Sequence, residues 1–151
     1  MDSKTSAKAI VQPYLFFGGR CDEALEFYKK ALGAQVGMLM RFKDSPEALP
    51  PNMPPGSENR VMHTSFRVGD TVIMASDGCD QNASFNGFSL SLTFDNESDA
   101  DRVFVLLSEG GKVQMPMSKT FWSPRFGMLT DRFGVAWMVG VAHDQGEHGK
   151  N

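Results

Sequence analysis

QPYLFFGGRCDEALEFYKKALG, residues 12–33, reads as a short buried strand, a glycine corner and an amphipathic helix that ends in glycine. The strand is placed at Ile10–Phe17, apolar on both sides as a central strand is. Gly18-Gly19 interrupts it, and Asp22 is the expected helix N-cap. Ala24, Leu25, Phe27, Tyr28, Ala31 and Leu32 recur at helical spacing and form one apolar stripe. Gly33 supplies a left-handed C-terminal stop. A weaker copy, LSLTFDNESDADRVFVLLSEGG, runs from Leu90 to Gly111. Tyr14 matches Leu92, Phe16 matches Phe94, Leu25 matches Val103, Tyr28 matches Leu106 and Gly33 matches Gly111 at one spacing (92 − 14 = 78). Such self-similarity predicts a duplicated βα module.

Working outward, Val36–Phe42 reads as a second strand with Met38 and Met40 on one face. Residues 44–59, DSPEALPPNMPPGSEN, hold five of the eight prolines. Proline removes ladder donors, so this is a long loop, of a length that serves either as a lid or as disordered chain. Val61–Val68 and Thr71–Asp77 form a hairpin about Gly69-Asp70, with glycine first in the turn. That turn pairs Val68 with Thr71, Phe66 with Ile73, Ser65 with Met74 and His63 with Ser76. Paired residues share a side of the sheet. One face is then Met62, Thr64, Phe66, Val68, Ile73 and Ala75, which suits a helix. The other is His63, Ser65, Arg67, Val72, Met74 and Ser76, mixed as a ligand-lined face is.

Residues 78–87 form a polar loop, and Phe88–Phe94 alternates as a strand. A second helix is expected from Ser98, where Ser98-x-x-Asp101 resembles a capping box, through Val103, Phe104, Leu106 and Leu107 to Gly110-Gly111. A strand at Lys112–Met115, a loop carrying Trp122, and a hairpin of Phe126–Thr130 and Val135–Val141 complete the chain. The order β-α-β-β-β occurs twice. The expected fold is α+β: two βαβββ modules, 10–77 and 88–141, in a single domain over 10–141. Their curved mixed sheets form a shared cavity, and flexible ends occupy 1–9 and 142–151.

Composition bounds the function. Of 151 residues, 41% are hydrophobic and 22% charged, which is ordinary for a soluble globule. A net charge of −3 lacks the basic face that nucleic acid requires. No apolar run approaches the roughly 20 residues that span a bilayer, and the first residues lack a signal-peptide core. Cys21 and Cys79 match no zinc spacing and read as free thiols of a reducing cytoplasm. No glycine-rich dinucleotide or phosphate fingerprint follows a strand, so no cofactor is expected and a methyltransferase activity has no support in the sequence.

The module order, with Phe27-Tyr28 before Leu32-Gly33 and Asp131-x-x-Gly134 before the last strand, resembles the vicinal oxygen chelate superfamily of glyoxalases and bleomycin-resistance proteins. PYLFFGGRCDEALEFYKKALGA, VMHTSFRVGDTVIMASD and WSPRFGMLTDRFGVAWMV resemble its PhnB-like branch. The resemblance covers about residues 10–141. It implies paired modules that complete a cavity, either within one chain or across a dimer, and a homodimer is expected. It also implies four metal-ligand positions, His, Glu or Gln in members with metal chemistry. Here they fall on Pro13 beside Gln12, on Met74, on Ser89 or Ser91, and on Met138. Proline has no side-chain donor and a thioether is a poor ligand for a hard divalent ion. No metal is therefore expected, and the family's Lewis-acid chemistry does not carry over.

The expected pocket takes Phe17, His63, Ser65, Arg67, Met74 and Ser76 from the first module, and Ser91, Trp122 and Met138 from the second. His63 is the candidate catalytic residue, as acid, base or anchor, against a structural hydrogen-bonding role. Arg67 either forks onto an anionic ligand or lies exposed. The methionines line an adaptable pocket or fill core. Trp122 is a pocket wall or an interface residue. Three functions remain open: a metal-independent small-molecule binding protein, an enzyme using His63, and a metal enzyme with relocated ligands such as Gln12 and His63.

Overall fold

The Gly69-Asp70 turn sets the first sheet as expected. It pairs Val68 with Thr71, Phe66 with Ile73 and Ser65 with Met74, and Gly69 takes the positive φ of 57° that such a turn needs. The computed structural model describes residues 8–49, 51–79 and 84–143. Its elements are β1 (Tyr14–Phe16), α1 (Cys21–Leu32), β2 (Gln35–Arg41), β3 (Val61–Val68), β4 (Thr71–Ser76), β5 (Leu90–Phe94), α2 (Glu97–Ser108), β6 (Lys112–Ser118), β7 (Phe126–Thr130) and β8 (Ala136–Val141). Two four-stranded sheets result, ordered β1-β4-β3-β2 and β5-β8-β7-β6. In each, the strand before the helix lies parallel to the last strand of its module, and the other pairs are antiparallel. The fold is α+β, two βαβββ modules with mixed sheets.

The first strand is shorter than its apolar run, three residues where eight were expected, and Ile10 and Val11 before it lie exposed. Both helix starts also differ. No side chain of its own caps α1, which begins at Cys21 after Arg20. Asp77, at the end of β4, takes that role from 56 residues away: Oδ1 accepts from the Gly19 and Cys21 backbone N–H groups, both at 2.8 Å. Oδ2 accepts from the Val61 N–H at 2.8 Å. The cap for α2 is Asn96 rather than Ser98, its side chain accepting from the Asp99 N–H. The helix stop at Gly33 is left-handed, φ 67°.

The inner layer is made by the helices. α1 packs on β2 and β3, α2 packs on the second sheet, and the two helices touch each other. Leu15, Phe17, Phe66, Ile73 and Ala75 from one sheet and Leu129, Trp137, Val139 and Val141 from the other join them in one core. Tyr28 is its centre, stacked on Phe66 at 5.7 Å and edge-on to Trp137 at 5.8 Å. Burying each such large side chain contributes about 1.5–3 kcal/mol. Tyr28 Oη donates to Asp131 Oδ2 at 2.6 Å, and Trp137 Nε1 donates to the same oxygen at 2.8 Å. Asp131 Oδ1 accepts from the Phe133 and Val135 N–H groups. One buried carboxylate therefore ties helix α1 of the first module to the closing hairpin of the second. Burial, reinforced by the Asp131 charge, pushes the Tyr28 phenol well above its usual range.

Candidate functional site

With both helices inside, the opposite face of each sheet turns outward. On the first sheet this face follows from the register: Tyr14 lies beside Met74, Met74 beside Ser65, and Met40 beside His63. His63, Ser65 and Met74 are half-buried there, as expected, and Tyr14 joins them. Tyr14 reaches over β4 to His63, with Oη 3.1 Å from Nδ1. Its ring lies 5.6 Å from the imidazole and 4.8 Å from the ring of Phe16, which is 53% exposed. The exposed Arg67 is held at one end of this face by Gln35, Nη2 to Oε1 2.6 Å. Arg67 and Ser65 line a shallow 240 Å³ hollow with Gln35, Gly37 and Val72.

Two expected members lie elsewhere. Phe17 is 3% exposed and sits in the core, its ring 5.5 Å from Phe85, 5.8 Å from Phe133 and 6.2 Å from Tyr28. Strand alternation explains this: Tyr14 and Phe16 face outward, so Leu15 and Phe17 face the helix. Ser76 lies beside Phe16 in the register but is 3% exposed, its Oγ accepting from the Gly78 N–H. It shapes the start of the following loop.

On the second sheet Ser91 pairs with Met138 and Thr93 with Gly140, all on the outward side. Ser91, Thr93, Trp122, Ser123, Phe126, Gly140 and His143 line a 410 Å³ cavity. Trp122 is 46% exposed, between Phe121 at 4.8 Å and Phe126 at 5.4 Å. The loop below it is pinned by Ser123, whose Oγ donates to the Val141 carbonyl at 2.7 Å. Thus Ser91 and Trp122 come together, and Met138 adjoins them. His63, Ser65 and Met74 lie on the other sheet, with the helix layer between. A single chain does not bring the two groups face to face.

The four positions that the resemblance implies as metal ligands do not fit an ion here. Met74 is beside a tyrosine, Ser91 beside Met138 on the far sheet, and Pro13 offers only its carbonyl, which accepts from the Met74 N–H at 2.9 Å. Among the described residues no three His, Cys, Asp or Glu side chains converge. The Gly18-Gly19 corner is no phosphate cradle either, because the N–H groups of Gly19 and Cys21 already serve the Asp77 carboxylate. Cys21 is buried and burial, with Asp77 beside it, pushes its thiol up; Cys79 is exposed, and both are free. Among the described residues no helix is long and apolar enough to cross a membrane. Tyr14 was the missed member of the first face, hidden because its strand was read as buried on both sides.

These paired βαβββ modules are the fold of the vicinal oxygen chelate superfamily. A glyoxylase/bleomycin resistance protein/dioxygenase domain from Frankia sp. EAN1pec has the same fold, with TM-score 0.65 at 14% identity over 97% of this chain and 100% of that one. Residues 9–140 match the family described as 3-demethylubiquinone-9 3-methyltransferase, and the chain belongs to that family, the PhnB-like branch. Protein PA1353 from Pseudomonas aeruginosa is 41% identical, with TM-score 0.76, over 91% of this chain and 100% of its own. The PhnB protein from Bacillus cereus is 26% identical, with TM-score 0.72, over 89% of this chain and 100% of its own. Protein YjdN of Escherichia coli K12 is 34% identical over 142 residues, 89% of this chain and 97% of YjdN.

Proposed function

We propose that this protein binds a small organic molecule without a metal ion, in a cavity completed by a second copy of the chain. One observation carries the reading. Both outward sheet faces present side chains suited to a ligand, His63, Ser65 and Met74 on one and Ser91, Trp122 and Met138 on the other, yet helices separate them within the chain. A homodimer that lays the first sheet of one copy against the second sheet of its partner would close them into one pocket. Exposed Phe16, Met38, Phe121 and Trp122 would then leave water. The free thiols agree with a cytoplasmic protein. Sedimentation at micromolar concentration tests the assembly: a dimer is expected, weakened by Phe16→Glu and by Trp122→Glu alike. A monomer, or a dimer indifferent to both, overturns it.

The Tyr14–His63 pair favours a second reading, an enzyme in which His63 moves a proton within that cavity. Neither reading uses the methyl transfer in the family description, for which no nucleotide-binding corner is available at Gly18-Gly19.

A further inference from the structure

We infer that the Tyr14–His63 pair recognises a flat aromatic molecule through an oxygen that accepts a hydrogen bond, an aryl ketone or aryl carboxylate. The inference rests on the small-molecule reading above and specifies the ligand's chemistry. Three observations combine. The Tyr14 hydroxyl has the His63 Nδ1 as its sole partner among the described residues, 3.1 Å away. The contact serves either tautomer, and the inference takes the one in which the Tyr14 hydroxyl donates to Nδ1, which puts the imidazole hydrogen on Nε2. Among the described residues Nε2 has no partner, and it is not sealed from solvent, because the buried side-chain nitrogen or oxygen without a partner there is Arg60 Nη1. The histidine is thus held as an outward N–H donor, and it selects a ligand that accepts.

The surroundings select the rest of the ligand. Phe16, Tyr14 and His63 form a row of three rings across β1, β4 and β3. Met74 lies beside Tyr14 and Met40 beside His63 in the register. Rings and thioethers reward a flat, polarisable partner. The cation on this face, Arg67, lies four residues along β3 from His63, about 13 Å of strand, and is occupied by Gln35. At that distance an exposed guanidinium is largely screened, so charge contributes little and a neutral ketone suffices.

The test uses the full chain and acetophenone as probe, with ethylbenzene as the ring that lacks the oxygen. Long-range ¹H–¹⁵N NMR should show a hydrogen on Nε2 and none on Nδ1 of His63, and Tyr14→Phe should mix the two tautomers. Acetophenone should shift Nε2 and the Phe16 and Met74 resonances, and bind about tenfold more tightly than ethylbenzene. Tyr14→Phe and His63→Phe should remove that preference, while Phe16→Ala weakens both probes. A hydrogen on Nδ1, or equal binding of the two probes, overturns the inference. The readout is independent of assembly: a dimer that ignores acetophenone sinks this inference alone, whereas a monomer that responds sinks the shared cavity alone.

Discussion

The two modules share topology and differ in how each secures its helix. In the first, α1 has no cap of its own and depends on Asp77 from the end of β4. In the second, α2 is capped locally by Asn96, and the comparable buried carboxylate, Asp131, reaches across to Tyr28 of the other module. The first module is thus closed by a long-range contact within itself, while the second spends its aspartate on the joint between modules. The difference also shows in spacing. Both helices are 12 residues long and start 76 positions apart (97 − 21 = 76) rather than 78. At 76, Ala24, Phe27, Tyr28 and Ala31 fall on Ala100, Val103, Phe104 and Leu107, all buried. In the strands the outward Tyr14 cannot match the inward Leu92; the inward Leu15 and Phe17 match Leu92 and Phe94, 77 apart (92 − 15 = 77). The corner between strand and helix is longer in the first module, so no single spacing serves both elements.

The comparison is broken most severely at Asp131. Asp131→Ala strands the buried Tyr28 hydroxyl and Trp137 N–H, and urea unfolding should show a loss of about 3–5 kcal/mol. Asp77→Ala, which frees only backbone N–H groups of one module, should cost less. If the two losses are equal, the joint is not special.

Glycine in the two sheets gives the next test. A Cβ at Gly127 would meet Phe104 Cε1 and Met117 Sδ at 2.8 Å and the Met115 carbonyl at 2.9 Å. Gly127→Ala should therefore destabilise by about 2 kcal/mol, as overpacking does. At Gly37 the nearest atom is the rotatable Ser65 Oγ at 3.2 Å, and Gly37→Ala should leave the unfolding free energy from urea titration within about 0.5 kcal/mol of the parent.

Tyr28→Phe sharpens the joint by removing one hydrogen bond to a carboxylate, and should cost about 1.5–2 kcal/mol at neutral pH. It should also change the alkaline limb. The folded phenol has a raised pKa, so its contribution is intact below the usual tyrosine value of about 10 and is lost as pH rises beyond it. Urea midpoints measured upward from pH 9 should fall more steeply for the parent than for Tyr28→Phe. Parallel curves would contradict this.

The smallest effect distinguishes the caps. Asn96→Ala should lower stability by about 1 kcal/mol, whereas Arg20→Ala, which removes no cap but only the exposed contacts to Glu23, the Arg132 carbonyl and the Phe133 ring, should cost less. The reverse ranking would show that α1 has a local cap after all.

By itself the sequence determined the module order, the two helices and the alternation that puts Phe66, Ile73 and Ala75 against α1. These follow from local turn chemistry at Gly69-Asp70 and from 3.6- and 2-residue periods. It also shows methionine, serine and proline at the positions that the resemblance implies as metal ligands. Only the tertiary structure decided which groups meet. The roles of Asp77 as a helix cap and of Asp131 as a tie to Tyr28 were hidden because those partners lie 56 and 103 positions away, beyond any local pattern. Phe17 and Tyr14 exchanged faces because an all-apolar run carries no alternation by which a strand's two sides can be told apart. And the candidate residues were split between two outward faces because the helices pack on each other, a contact made by stripes that read identically whether the neighbour is a sheet or a second helix.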